Sequence, residues 1–171
     1  MRTFIACHVN RTLGINDLVR EVGAMKGVTP VSTPELHITL HFLGETSNEV
    51  AEEVVKAIGK IRYQKFTVEM VGIGFFPSES RPRVLYINVK AFPHALYSLL
   101  MSSIGLTPDE KGFVPHITVA RIHQTVKSTD LVKKYGKFYF GKADISELCY
   151  YRSDLKPHGP EYSLIGSVQL M

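Results

Sequence analysis

Cysteine is scarce in this chain of 171 residues: only Cys7 and Cys149 occur, both within apolar stretches. So few thiols exclude a disulfide-stapled scaffold and read as buried, free sulfhydryls of a reducing compartment. No Cys/His spacing matches a zinc site, and no cluster of carboxylates or cysteines lies near the motifs described below, so neither a metal nor another cofactor is expected. Long apolar runs are missing too. The apolar start, Phe4 to Val9, is too short for a membrane span or a signal peptide, and the expected location is the cytoplasm, away from membranes. The basic residues are scattered, with no charged arm and no low-complexity tail.

What is present suits one soluble globular domain. Hydrophobic residues make up 44% and charged residues 21%, and 171 residues can bury an adequate core without staples. The net charge of +4, from 20 basic and 16 acidic residues, is a mild basic bias. It suits a phosphorylated or polyanionic ligand, and equally an ordinary basic protein.

The tripeptide His-Ile-Thr occurs twice, at His37-Ile38-Thr39 and at His116-Ile117-Thr118, 79 positions apart. An apolar residue follows each (Leu40, Val119) and a proline shortly precedes each (Pro34, Pro115). In an extended strand residues i and i+2 share a face, so each histidine projects with its threonine while Ile38 and Ile117 face a core. Two such pairs make a symmetric acid–base device for phosphate esters. A third, looser match, His123-Gln124-Thr125-Val126, has a polar centre and runs into Lys127-Ser128-Thr129-Asp130, so it reads as a strand end or loop.

Hydrophobic periodicity predicts strands over Arg2–Val9, Leu36–Leu43, Phe66–Ile73, Val84–Val89, Ile117–Ile122, Phe138 toward Tyr151 with a bend at Gly141, and Tyr162–Leu170. Helices are predicted over Gly14–Met25, from a Ser47 cap to Ile61 burying Val50, Val54, Ala57, Ile58 and Ile61, over Pro93–Ile104, and from a Ser128-Thr129-Asp130 cap to Tyr135. The expectation is an α+β fold of two pseudo-symmetric lobes, each a small antiparallel sheet backed by helices, with the active site in the cleft between them. Residues 1–171 then form a single domain of two interleaved lobes.

The residues around the two tripeptides resemble the two-histidine (2H) phosphoesterase superfamily, in its 2′-5′ RNA ligase-like branch of RNA 2′,3′-cyclic phosphodiesterases. The similarity is carried by Arg2-Thr3-Phe4-Ile5-Ala6, by Leu36-His37-Ile38-Thr39-Leu40-His41-Phe42-Leu43-Gly44-Glu45 and by Arg81-Pro82-Arg83-Val84-Leu85-Tyr86. Phe113-Val114-Pro115-His116-Ile117-Thr118-Val119-Ala120-Arg121 and Leu155-Lys156-Pro157-His158-Gly159-Pro160-Glu161-Tyr162 extend it over essentially the whole chain.

The resemblance implies hydrolysis of RNA 2′,3′-cyclic phosphate ends to a 2′-phosphate by a metal-independent phosphodiesterase. One imidazole then activates water and the other protonates the departing ribose oxygen, with the assignment between His37 and His116 left open. It further implies that Thr39 and Thr118 hold the phosphoryl oxygens, that Arg121 contacts substrate and that Phe42 stacks on a base. An offset of five turns Arg121 and Phe42 away from the histidine face of an ideal strand, so either a bulge re-aims them or they are surface and core residues. His41 has the parity to line the cleft and otherwise lies at an exposed edge. The segment Phe75–Arg83 either grips RNA or is a solvated turn with its phenylalanines in the core. The expected partner is an RNA or nucleotide with a cyclic phosphate, bound by a monomer. The alternatives are 2′-5′ joining of RNA ends at the same site, or a nucleotide- or RNA-binding module without turnover.

Overall fold

The computed structural model describes residues 1–32 and 36–171, so Pro34 lies outside the described residues. Strand β1 (Arg2–His8) leads to helix α1 (Leu13–Gly23), a short β2 (Val28–Pro30) and β3 (His37–Glu45). Then come α2 (Asn48–Gly59), β4 (Phe66–Phe76), β5 (Val84–Lys90), α3 (His94–Ser103) and β6 (His116–Ile122). Helix α4 (Thr129–Tyr135), β7 (Tyr139–Ile145), β8 (Glu147–Lys156) and β9 (Gly159–Gln169) complete the chain.

Helices α1 and α2 start where a side chain satisfies a free amide of the first turn, whereas α3 begins after Pro93 and α4 after Ser128 without a side-chain cap. The expected cap at Ser128 is not formed, because its hydroxyl donates to the Glu79 carbonyl at 3.1 Å instead. Thr12 Oγ1 accepts from the Ile15 amide at 3.3 Å and itself donates to the Phe140 carbonyl at 2.6 Å, tying α1 to β7. Ser47 Oγ accepts from the Val50 amide at 3.2 Å. The buried stripe of α2 is Ala51, Val54 and Ile58, while Val50 in its first turn is exposed, so the expected stripe is displaced by one residue there. The stripes of all four helices join one continuous core with Ile38 and Ile117.

Among the described residues nine strands form one sheet in the order β7-β4-β5-β6-β3-β1-β8-β9, with β2 added against β6. It divides into two antiparallel halves, β6-β5-β4-β7 and β3-β1-β8-β9, joined at the single partner pair Ile38 and Ile117. The strand–helix–strand units β1-α1-β3 and β5-α3-β6 take equivalent places, each with its His-Ile-Thr strand innermost. The α+β fold of two pseudo-symmetric lobes expected from the sequence is the fold observed. Helix α1 contacts β2, β6 and β7, strands of the half to which its flanking strands β1 and β3 do not belong.

Two details depart from the predicted elements. Phe138–Tyr151 is two strands that belong to opposite halves, broken at Ser146, and β4 continues through Phe75 to Phe76. The predicted bend at Gly141 is present: its φ is +113° and the β4–β7 register shifts beside it.

Close packing within one half depends on Gly72. Its φ is +76°, and a methyl group there would meet the Gly136 carbonyl oxygen at 2.5 Å, where α4 ends against β4. Gly72→Ala is expected to lower the unfolding free energy by about 2 kcal/mol, from left-handed strain and the backbone clash together. Urea unfolding checks it: the midpoint should fall with an unchanged slope, and a wild-type midpoint would refute the contact.

Candidate active site

Ile38 and Ile117 are opposite each other and fully buried. Stepping one residue either way along antiparallel strands sets His37 across from Thr118 and Thr39 across from His116. Alternation then puts all four polar side chains on the face away from the core, and each is half-buried in the same cleft. The two His–Thr pairs thus come together around one backbone pairing, related by the pseudo-two-fold that passes between the isoleucines.

Both motif strands carry a bulge at the same offset. Against β5 the register of β6 jumps from Thr118 to Ala120, leaving Val119 as the extra residue. Against β1 the register of β3 jumps from Thr39 to His41, leaving Leu40 as the extra residue. A bulge reverses the parity of everything after it. Val119 and Ala120 are therefore both buried, and Arg121 returns to the cleft face. Leu40 is buried and His41 half-buried toward α3, in a hollow with Tyr97 and Met101, while Phe42 lines the cleft at 69% exposure. His41 does not line the cleft, and burial in its hollow lowers its pKa.

The cleft has a volume of about 500 Å³. Each imidazole stands in an aromatic wall. The His37 ring lies 5.1 Å from Phe4 and 5.4 Å, edge-on, from Tyr162, and Phe4 stacks on Tyr151 at 5.3 Å. The His116 ring lies 5.0 Å from Phe76 and 5.2 Å from Tyr86, which stack on each other at 4.2 Å. His116 Nδ1 is 2.7 Å from the Val114 carbonyl oxygen. A carbonyl oxygen only accepts, so Nδ1 carries the proton and Nε2 is the nitrogen left for chemistry.

The sequence brought forward both histidines, both threonines, Phe42 and Arg121, and all six line this cleft. It passed over Phe4, Tyr162 and Thr29, and assigned Phe76 to a loop; these also line it. Only the family-like segments around Phe4 and Tyr162 carried any signal, because strand pairing rather than spacing brings these rings to the histidines. His123 lies just beyond β6, with Nε2 3.1 Å from Thr29 Oγ1, and does not line the cleft. Among the described residues no three His, Cys, Asp or Glu side chains are grouped so as to hold a metal ion. No helix among them is long and apolar enough to cross a membrane.

Comparison with known proteins gives the same picture. Residues 10–86 match the family described as LigT like Phosphoesterase. An RNA 2′,3′-cyclic phosphodiesterase of Archaeoglobus fulgidus is 31% identical over 171 residues, covering 95% of this chain and 96% of that protein. A protein of the same name from Aquifex aeolicus is 33% identical, covering 79% and 78%. A crystal structure of a Thermus thermophilus protein superposes with a TM-score of 0.85 at 27% identity, covering 99% of this chain and 98% of that one. Escherichia coli LigT in complex with 3′-AMP shares the fold, with a TM-score of 0.72 at 24% identity and coverage of 99% and 97%. Sequence shared along nearly the full length, on a shared fold, makes this chain a LigT-like member of the two-histidine (2H) phosphoesterases.

Proposed function

We propose that this protein hydrolyses RNA 2′,3′-cyclic phosphate ends, using His37 and His116 as the general acid–base pair. The observation that carries this reading is the meeting of two His–Thr pairs around one backbone pairing in one cleft. Several relatives that bear the name RNA 2′,3′-cyclic phosphodiesterase support the substrate.

One neutral imidazole takes a proton from water as the water oxygen attacks phosphorus. The bond from phosphorus to the 3′ oxygen breaks, and the protonated imidazole delivers its proton to that oxygen. The product is a 2′-phosphate beside a free 3′-hydroxyl. The hydroxyls of Thr39 and Thr118 donate to the two non-bridging oxygens, and the Arg121 guanidinium stabilises the charge that builds on them. Phe42 offers an exposed ring for the terminal base. Both motif strands belong to one chain, which supports a working monomer of residues 1–171. The buried thiols of Cys7 and Cys149 suit the cytoplasm.

His37→Ala and His116→Ala are each expected to lower kcat/KM on a nucleoside 2′,3′-cyclic phosphate by about a thousandfold or more, with an unfolding midpoint near wild type. A folded variant that keeps the wild-type rate would refute the assignment.

Thr39→Val and Thr118→Val are each expected to cost about 10- to 100-fold, mainly in kcat. The product, identified after incubation with a chelator, should be the 2′-phosphate isomer. Tight nucleotide binding without any turnover would instead make the protein a binding module.

A further inference from the structure

The two histidines take their aromatic walls from different strand positions. On β1 the cross-strand neighbour of Thr39 is Ala6, and the ring that meets His37 is that of Phe4, two positions earlier. On β5 the cross-strand neighbour of Thr118 is Tyr86 itself. Cβ atoms of such neighbours lie about 4.5–5.5 Å apart, so a large ring at this position has two ways to turn. It stands over Thr118, or it leans away from β6 and over β4.

Gly74 decides between them. It is the β4 partner of Tyr86, and the far end of the phenol ring lies over it. A methyl group at Gly74 would run into Tyr86 Cζ and Oη, with Cε2 at 2.7 Å. All three nearest atoms belong to that one ring, whereas the space at Gly72 is bounded first by the Gly136 backbone. A glycine inside a strand weakens it and marks a close approach, here by the aromatic ring that covers it. From this seat the Tyr86 ring stacks on Phe76 at 4.2 Å, and the two rings meet the His116 imidazole at 5.2 and 5.0 Å.

We propose that Gly74 is a positioning residue for His116. The space above its α-carbon seats the Tyr86 ring, which holds the imidazole and leaves Thr118 open to the phosphoryl group. Gly74 does not line the cleft and acts through Tyr86 alone. A β-carbon at this place pushes the ring back toward β6, over Thr118 and against His116. The inference rests on the reading of His116 as one half of the acid–base pair.

The test uses the wild-type protein, Gly74→Ala, Tyr86→Ala, Tyr86→Phe and the double variant Gly74→Ala with Tyr86→Ala. Each is measured by kcat and KM on a nucleoside 2′,3′-cyclic phosphate, by its unfolding midpoint, and by the NMR resonance of the His116 Cε1 proton, which feels the ring currents of Phe76 and Tyr86. Gly74→Ala is expected to lower kcat about 10- to 100-fold, the cost of misplacing a catalytic group by about 1 Å, and to shift the His116 resonance. In the Tyr86→Ala background the same substitution should change kcat by less than about twofold, because no ring is left to displace. Tyr86→Phe keeps the ring and should retain most of the kcat that Tyr86→Ala loses. The seat is overturned if folded Gly74→Ala keeps the wild-type kcat and resonance, or if it costs as much without the Tyr86 ring as with it. Should Gly74→Ala fail to fold, recovery of the fold in the double variant supports the seat, and failure of both overturns it. If the wild-type protein opens no cyclic phosphate, the phosphodiesterase reading fails by itself; the seat is then decided by the resonance, and an unmoved His116 signal in Gly74→Ala overturns it.

Discussion

Everything at the cleft depends on one point of backbone pairing, between Ile38 and Ile117. There the two halves of the sheet touch, and there register is fixed. Strand side chains alternate, so a slip of one residue by either strand would bury its imidazole and expose its isoleucine. Each isoleucine is fully buried, and burial of such a side chain is worth about 1.5–3 kcal/mol, so the slipped register is strongly disfavoured. The pairing also ends quickly. Strand β3, which begins at His37, meets β6 only at Ile38, and ahead of it β2 pairs with Ala120 to Ile122.

The paired bulges complete this arrangement. Each costs a little ladder regularity and in return reverses the facing of the strand beyond it. The backbone of the two halves is matched down to the offset of the bulge, yet the side chain delivered five residues after each histidine differs: an aromatic ring on one side, a guanidinium on the other. A symmetric scaffold therefore presents an asymmetric surface. That asymmetry suits a nucleotide, which has a flat base at one end and a charged backbone at the other.

The reach of the sequence followed from this division. Period-two and period-3.6 patterns and the repeated tripeptide made most strands, the helices and the His–Thr quartet of the cleft legible. Features created only by assembly were not. Val28-Thr29-Pro30 is too short and too proline-bound to read as a strand, and it exists as one only through its pairing with Ala120 to Ile122 of β6. The break at Ser146 lies within a stretch whose strand-like apolar–polar alternation runs on into β8, and only the distribution of β7 and β8 to opposite halves reveals it. The rings around the histidines come from β1, β4, β5 and β9, so no local spacing could gather them. For Phe42 and Arg121 the sequence posed the right question, because their offset of five required a bulge to reach the cleft.

Pro115 illustrates how a local rule becomes a chemical one. Having no amide hydrogen, it cannot donate to a neighbouring strand, and it holds Val114 in an extended conformation. The Val114 carbonyl is thereby turned to the imidazole two residues later, where it accepts from His116 Nδ1 at 2.7 Å. Because this oxygen has no proton to give, Nδ1 stays protonated in both charge states of the ring. Loss and gain of the mobile proton are then confined to Nε2. Phe76 and Tyr86 flank the ring at 5.0 and 5.2 Å, so the packing and the Nδ1 contact together hold the orientation of Nε2.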